Sequence, residues 1–351
     1  MLKSRLPERG VVSALIVVVM VMLGVYSSSG AENDGYKRSL YYRAITYHHL
    51  VTSVKQVDLD GDGNQEVIVC YREPGDAVDL PGGILILGEG VQGYRVLWHG
   101  YFKGLYPRNL TVTVPTLDVE FVQTSLDGDH GFHKRLVHGK DFYFRGEAGD
   151  PFAKVKITAS STLSEETSPG NVMDGDLRSA WAEGAEGTGV GEKLVFEFPR
   201  PVNLGLIGML HGFARSKRDW LDNNRVHRAE VTVETSADRY DTASEVDLDS
   251  DLGLGIYGDM VEMSFSNKPL LRYFRLEKSS VVSLEVKITS VLLGEKNDDA
   301  YIAEIDFAEM FTRQQLLGEP GKKQQAPAAK SSAKKGPTDE EKEDTSDWLE
   351  E

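Results

Sequence analysis

The chain has 351 residues, of which 40% are hydrophobic and 27% are charged. This length allows two ordinary domains with tails, and the composition is typical of a soluble globular protein rather than of a disordered one. The formal net charge is −16. Because such a chain offers no basic stripe to neutralise phosphates, we predict that it does not bind nucleic acid.

The N-terminal residues predict export. Basic residues precede the apolar run at 11–26, and small residues ending in Ser29-x-Ala31 follow it. This order is typical of a secretory signal, and the run is short for a membrane span, which needs roughly 20 residues. We therefore expect 1–31 to be a signal peptide and the mature protein to be periplasmic or extracellular. The alternative is an uncleaved N-terminal anchor, which would be its only membrane contact.

Short apolar runs between clusters of Gly, Asp and Asn predict an all-β protein. The runs are EVIVCY, GILILG, YRVLWHG, KLVFEF, AEVTVE, YFRLE and LEVKITSVLLG. We predict no sustained helix before residue 300, although 301–317 allows a helical turn. Cys70, the single cysteine, lies in the first run, so we expect it to be a buried strand residue rather than a reactive thiol.

The mature chain divides into three parts. We predict a small β domain at 36–150 and a second β domain at 152–312, with a boundary at 147–151. The segment 318–351 is rich in Pro, Ala, Lys and Glu and almost free of apolar residues. Such a composition cannot bury enough surface to offset the entropy of ordering, so we expect a disordered tail.

An acidic loop at 58–66 leads into the first predicted strand, EVIVCY. Ca²⁺ takes six to eight oxygen ligands, and carboxylates at alternate positions can point to one centre. The five candidate ligands are Asp58, Asp60, Asp62, Asn64 and Glu66. The bidentate glutamate of an EF-hand is replaced by Val69, so the loop predicts a structural ion and not a calcium switch of that kind.

A calcium loop that leads into a strand, followed by GGILIL and YRVLWHG, resembles a single FG-GAP or VCBS-type repeat over about 54–98. The resemblance implies that the ion holds a hairpin turn. A β-propeller needs several such blades. Only 125–139 gives a partial echo, so we expect one repeat-like unit within a small β domain.

Four separated motifs occur in order between 155 and 308. They are KITASSTLSEETSPGNVMDGDLRSAWAEG, GTGVGEKLVFEF, HGFARSKRDWLDNNRVHRAEV and LEVKITSVLLGEKNDDAYIAEIDF. Together they resemble a discoidin-type, galactose-binding-like domain of the bacterial branch called the NADase-type glycan-binding domain. The resemblance implies a jelly-roll β-sandwich. It does not imply NAD hydrolysis, because the toxin that lends its name to the branch carries that activity elsewhere.

The turn NVMDGDLRSAW offers hard oxygen ligands around a glycine. Discoidin-type domains commonly hold a calcium ion with this turn and a late glutamate. Carried over by position, the ligands would be the carbonyls of Asn171 and Ala303 together with Asp174, Asp176, Ser179 and Glu304. The alternative is an Asx-type turn without metal. We expect Trp181 to pack beneath the turn.

The segment 211–225 is the candidate ligand-binding site. Sugars bind planar polar side chains beside an aromatic face. The segment provides both, with His211, Arg215, Trp220, Asn223, Asn224 and Arg225. The alternative is that Trp220 and Arg225 pack and pair inside the sandwich.

The sequence contains none of the G-x-S-x-G, H-E-x-x-H or P-loop motifs. We therefore predict an exported, non-catalytic protein that is stabilised by calcium and recognises a glycan through its second domain. The alternative is a structural or protein–protein component of the cell envelope. An exposed Trp220 would favour the glycan, and a buried Trp220 beside an apolar patch would favour a protein partner.

Overall fold

Strands make up most of the protein, which confirms the predicted all-β class. The computed structural model describes residues 34–90, 93–139, 151–152, 154–236, 256–257, 260–264 and 268–317. The predicted signal peptide, most of the predicted boundary at 147–151 and the predicted tail lie outside the described residues. Within the described ranges, no helix is long and apolar enough to cross a membrane.

The first domain opens with helical turns and continues as strands. A 3-10 helix spans Asp34–Arg38 and α1 spans Leu40–His48. The strands are β1 (Leu50–Val57), β2 (Glu66–Arg72), β3 (Gly82–Gly90), β4 (Gly93–Phe102), β5 (Tyr106–Thr113), β6 (Thr116–Ser125) and β7 (Gly128–Val137).

Helix α1 contradicts the prediction that no helix precedes residue 300. The Ser39 hydroxyl caps it by accepting a hydrogen bond from the Tyr42 backbone N–H at 3.2 Å. Its buried residues, Tyr41, Ala44 and Ile45, follow the three- and four-residue spacing of a helix face. Nine residues are too few for the period to stand out in the sequence, and packing against the sheet stabilises the helix.

The second domain contains the remaining eight strands. They are β8 (Lys156–Ala159), β9 (Trp181–Ala182), β10 (Lys193–His211), β11 (Asn224–Thr235), β12 (Ile256–Tyr257), β13 (Met260–Ser264), β14 (Arg272–Leu292) and β15 (Ala300–Phe311). The helical segments are 3-10 turns at Glu165–Thr167 and Pro169–Met173, α2 at Lys217–Asp222 and α3 at Arg313–Leu317. Two runs predicted as separate strands, YFRLE and LEVKITSVLLG, belong to the single long strand β14.

One sheet runs through both domains. Its strand order is β1-β2-β3-β4-β15-β10-β14-β11-β13-β12, and β8 and β9 pair with β10 and β15 beside this path. The junction is a short parallel ladder between β4 and β15 that aligns Gly100 with Glu309 and Phe102 with Phe311. Strands β5, β6 and β7 form a separate antiparallel sheet. The two predicted domains are therefore joined by backbone hydrogen bonds and not only by a linker.

Among the described residues, four apolar clusters hold these layers together, and the smallest consists of Tyr101, Leu206, Ala308 and Met310. The sandwich core of the second domain includes Trp181, Phe196 and Phe307, so Trp181 packs in the core as predicted. A second cluster, with Cys70 and Phe121, fills the space between the two sheets of the first domain. Burial raises the pKa of the Cys70 thiol to about 12, which confirms a buried residue and disfavours a thiolate.

The third cluster lies between the domains. It combines α1 and the outer face of β2 and β3 with residues of the second domain, among them Trp220 and Tyr301. Side chains of β2 and β3 thus alternate between the inner cluster of the first domain and the junction, which explains why these strands are apolar at nearly every position.

A buried polar network crosses the same junction. His99 on β4 has one ring nitrogen 2.6 Å from the Tyr71 hydroxyl and the other 3.3 Å from a carboxylate oxygen of Asp306 on β15. That same oxygen accepts a hydrogen bond from the Tyr273 hydroxyl at 2.9 Å. The side chains of His99 and Asp306 are completely buried. Burying a polar group costs free energy unless the group is paired. This network therefore favours the one arrangement of the two domains in which its members are paired.

A second polar contact lies nearer the surface. Glu277 interrupts β14 with a left-handed backbone (φ 48°). Its carboxylate accepts a hydrogen bond from the Tyr101 hydroxyl at 2.6 Å and pairs with Lys103 at 2.7 Å. Arg275 forms an ion pair with Glu73 of the first domain. The irregular part of β14 is thus the part that docks on the first domain.

We predict that Asp306→Ala lowers the free energy of unfolding by about 3–5 kcal/mol, because it leaves buried partners of the carboxylate unpaired. Urea denaturation measures this loss. Asp118→Ala removes the exposed ion pair with Arg135 and should change the free energy of unfolding much less. An equal effect of the two substitutions would contradict a stabilising role for the buried network.

Candidate functional site

The acidic loop between β1 and β2 brings three carboxylates together. One oxygen from each of Asp58, Asp60 and Glu66 lies within 4.8 Å of the others. Asp58 also accepts backbone hydrogen bonds from Gly61 at 2.7 Å and Gly63 at 3.1 Å. Both glycines have positive φ, which lets the chain wrap around the Asp58 carboxylate. The oxygen-only donor set and the tight loop fit a hard divalent cation.

The structure does not place all five predicted ligands in this group. Asp62 accepts hydrogen bonds from the backbone and the side chain of Asn64, and these bonds lower the pKa of Asp62. Glu66 is buried, and one of its oxygens accepts the Leu59 N–H at 2.7 Å. Burial, followed by the neighbouring aspartates, raises the pKa of Glu66. The loop therefore concentrates negative charge that a cation would neutralise.

The second predicted calcium loop is closed by its own hydrogen bonds. Asp174 accepts the Asp176 N–H and the Ser179 hydroxyl, both at 2.7 Å. Asp176 accepts the backbone N–H of Arg178, and the Asn171 side chain bonds to neighbouring backbone carbonyls. This is the geometry of the Asx-type alternative.

The late residues of that proposed site lie on a neighbouring element. Ala303 and Glu304 are buried on β15, against which the Pro169–Met173 turn packs. Among the described residues, the carboxylates of Asp174, Asp176 and Glu304 do not form a group of three within 4.8 Å of one another. The fold brings the predicted ligands to one region, while the carboxylates of the loop stay engaged within it.

Of the six residues predicted to bind ligand in the segment 211–225, Arg215 is exposed and the other five, His211, Trp220, Asn223, Asn224 and Arg225, are buried. The exposed fraction is 4% for Trp220 and 0% for His211, and the two rings meet edge to face at 5.1 Å. Gly212 has φ 100°, and a Cβ there would lie 2.7 Å from Arg225 Cγ. The segment packs too closely for these aromatic rings to face a sugar.

The three residues at the end of the segment have structural roles. Arg225 donates to the carbonyl of Trp220 at 2.6 Å and to that of Leu293 at 2.9 Å, so its guanidinium caps the C-terminal end of α2. Asn224 accepts the Gly294 N–H at 2.7 Å, and Asn223 donates to the Asp219 carbonyl at 2.7 Å. The alternative stated from sequence, packing and pairing inside the sandwich, describes Trp220 and Arg225.

An exposed part of the segment remains at its start. The ring of Phe213 stacks on Tyr301 with centroids 4.9 Å apart and an interplanar angle of 4°. The Arg215 guanidinium lies 4.6 Å from the Phe213 ring centroid and pairs with both oxygens of Asp219 at 2.9 Å. This pairing lowers the pKa of Asp219. We call these four residues the Arg215 stack. It presents a planar guanidinium and a carboxylate on the surface of the second domain.

The sequence analysis missed a cleft at the domain junction. The cleft measures about 530 Å³ and is lined by Arg38, Ser39, Glu89, Tyr94 and Leu177 together with nearby glycines and Leu40. These residues come from three separate parts of the chain. No local motif contains them, so only the pairing of the domains reveals the cleft.

Residues 150–308 match the family model described as "NAD glycohydrolase translocation F5/8 type C domain". This match confirms the resemblance of the second domain to discoidin-type domains. It does not include the first domain, whose resemblance to an FG-GAP or VCBS-type repeat stays a prediction. No curated protein matches the chain.

Several solved structures resemble part of the chain. Arabinofuranosyltransferase AftD from Mycobacteria shows 15% identity and a TM-score of 0.32, and the match covers 44% of this chain but 11% of that one. The family 32 carbohydrate-binding module (CBM) of Clostridium perfringens NanJ, solved with galactose, shows 12% identity, a TM-score of 0.32 and coverage of 45% and 95%. CBM32-3 from a family 31 glycoside hydrolase of Clostridium perfringens shows 15% identity, a TM-score of 0.33 and coverage of 45% and 93%.

We predict that His211 makes the stability of the protein fall more steeply in acid than it would with a non-titrating residue at this position. Burial lowers the pKa of His211 to about 3, against backbone hydrogen bonds to Val226 and Lys268 that raise it. In the unfolded chain, His211 becomes protonated below about pH 6.5, whereas in the folded protein it stays neutral down to about pH 3. Stability from this residue is present above pH 6.5 and is lost as the pH falls through this window.

Urea denaturation at pH 7 and pH 5 tests this prediction. Between these values the wild type should lose about 2 kcal/mol more than the non-titrating variant His211→Gln. The comparison uses the change with pH within each protein, so a lower stability of the variant at pH 7 does not affect it. An identical pH dependence in the two proteins would show that His211 is not held neutral.

Proposed function

We propose that this protein, whose residues 150–308 form an F5/8 type C domain, binds carbohydrate outside the cytoplasm and catalyses no reaction. The observation that carries the proposal is the match of the second domain to that family model. Solved domains with likeness to it include a module bound to galactose, which is a property of that protein. Fold alone does not fix function, so the proposal must also name the surface of the domain that contacts the sugar.

The Arg215 stack is the surface we assign to the sugar. Its guanidinium and carboxylate offer paired donors and acceptors that suit neighbouring hydroxyls. About half of the Arg215 side chain is exposed, whereas Trp220 and Arg225 are buried. Stacking on Phe213 and pairing with Asp219 hold the guanidinium in one orientation, which reduces the entropy lost on binding.

Calcium in the acidic loop is the second part of the proposal. Asp58, Asp60 and Glu66 are the residues that would hold the ion, which would supply positive charge between carboxylates and stiffen the turn before β2. Asp62 and Asn64 lie in the same loop but outside this group, and they would need to give up their mutual hydrogen bonds to bind the ion. The role is structural, because the loop lies on the first domain and the assigned sugar surface on the second.

Calcium at 171–179 with Ala303 and Glu304 is proposed on the resemblance, supported by the packing of the Pro169–Met173 turn against β15. Export is likewise a proposal and rests on the N-terminal sequence at 1–31. An uncleaved N-terminal anchor would leave both domains on the same side of the membrane.

A protein partner in the cell envelope is the alternative function. The observation that favours it is the burial of Trp220, which was the expected sugar platform. A binding measurement is therefore needed to decide whether this domain binds a glycan or a protein.

We predict that the full chain binds at least one glycan on an array and that Arg215→Ala weakens this binding by tenfold or more. Arg218→Ala is the matched control. It removes the same charge and an ion pair of the same four-residue spacing, here between Arg218 on α2 and Asp222 at 2.7 Å. Saturable binding that is unchanged by Arg215→Ala would show that the glycan does not bind at the Arg215 stack. A folded wild type that binds no arrayed glycan would contradict the proposed function and favour a protein partner.

We predict that calcium raises the melting temperature of the protein. Binding to the folded state alone stabilises by about 2.7 kcal/mol at a hundredfold excess of ion over Kd. Asp60→Asn keeps the shape of the side chain but removes a charge, so it should reduce the calcium-dependent shift. Asp127→Asn, in the turn between β6 and β7, is the control. Equal shifts in both variants would place the ion elsewhere, and no shift in the wild type would exclude a stabilising ion.

A further inference from the structure

We propose that the junction cleft, defined by the lining residues Arg38, Ser39, Glu89, Tyr94 and Leu177, is a second binding site that takes one neutral sugar unit. The inference goes beyond the proposed function, because most of this site belongs to the first domain. It requires neither the Arg215 stack nor calcium.

Three elements build the walls of the cleft. The chain before α1 supplies Arg38 and Ser39, the β3–β4 hairpin supplies Glu89 and Tyr94, and the 174–179 loop of the second domain supplies Leu177. The volume of about 530 Å³ lies within the range of small-molecule sites. The site is therefore complete only when the two domains are docked.

The second domain approaches the hairpin closely at this point. Gly175, with φ 76°, lies where a Cβ would come 3.4 Å from Cβ of Arg95 on β4. A side chain at that position would be strained by the positive φ, while its Cβ would be in ordinary van der Waals contact with Arg95. Gly175 thus permits the backbone turn of the 174–179 loop that carries Leu177.

Two opposite charges in the cleft have no partner among the described residues. Arg38 and Glu89 are both exposed, and neither side chain has a hydrogen bond or an ion pair to another described residue. Several other charged side chains on the surface are paired, such as Arg108 with Glu120 and Arg135 with Asp118. The guanidinium and the carboxylate of the cleft are therefore available as a donor and an acceptor for a ligand.

The aromatic wall is held in place from behind. Tyr94 is half-buried, and its ring meets that of Tyr36 edge to face at 6.4 Å. Glu89 lies directly opposite Tyr94 in the β3–β4 ladder. A fixed aromatic ring beside polar groups suits the C–H face and the hydroxyls of a pyranose.

The charges select a neutral ligand. An anionic sugar would gain from Arg38 but would be repelled by Glu89, and a cationic ligand would meet the reverse. A neutral hexose can donate to the carboxylate and accept from the guanidinium at the same time.

Saturation-transfer NMR on the full chain tests the cleft with galactose, glucose, mannose and N-acetylglucosamine as probes. We expect saturation transfer to at least one of these sugars in the wild type. The double variant Arg38→Ala/Glu89→Ala should weaken that binding by tenfold or more, because it removes both free polar groups. Tyr94→Leu should weaken it as well, whereas Tyr94→Phe, which keeps the ring, should retain most of it.

Two controls separate this site from the proposed function. Arg43→Ala removes an exposed charge from α1 outside the cleft and should leave binding unchanged. Arg215→Ala should leave the probe signal that depends on Arg38 and Glu89 unchanged. Melting curves verify that the variants fold. Saturation transfer that is lost in Arg215→Ala but retained in Arg38→Ala/Glu89→Ala would show that the sugar binds at the Arg215 stack. That outcome would overturn the cleft site and would be consistent with the proposed function. Absence of transfer from all four sugars in the wild type would overturn the cleft site.

Discussion

The pairing of β4 with β15 is the contact on which the rest of the molecule depends. It joins the last strand of one four-stranded meander to a central strand of the sandwich and so makes one sheet out of two. Because the ladder is parallel and short, backbone hydrogen bonds alone give little free energy. The apolar cluster at the junction and the buried network through His99 and Asp306 supply the rest. The position of α1, of the 174–179 loop and of the cleft between them follows from this arrangement.

The junction also explains an unusual distribution of polar groups. Asp306 lies in the middle of β15, where its neighbours are apolar, and Glu277 interrupts β14 with a left-handed residue. Either feature would destabilise an isolated sandwich, because a buried carboxylate needs partners and a non-glycine residue resists that backbone conformation. Both are compensated by first-domain residues, His99 for Asp306 and Tyr101 for Glu277. Asp306, which is also bonded to Tyr273 of its own domain, and Glu277 thus both gain polar partners from the docked first domain.

The sequence predicted what depends on local pattern. The apolar runs became strands, Cys70 and Trp181 became buried residues, and the separated motifs identified the second domain. The acidic loop was recognised because its ligands are neighbours in the chain. The sequence could not separate exposed from buried residues in the segment 211–225, for the opposite reason. Trp220, Asn224 and Arg225 are the residue types that bind sugars, but they are also those that fill and cap a crowded corner, and only the packing distinguishes these uses. Helix α1 and the cleft depend on contacts between distant segments and left no local signal.

The placement of β15 and α3 has a consequence for how the polypeptide is made. Leu316 belongs to the apolar cluster inside the first domain, and β15 pairs with a strand some 200 positions earlier in the chain. Contacts of such long range form late, because a large loop must close before they yield any stabilisation. A ribosome releasing this polypeptide from its N-terminus would thus expose the first domain long before its last core residue emerges. The core of the first domain therefore stays incomplete until residues 309–316 have left the ribosome.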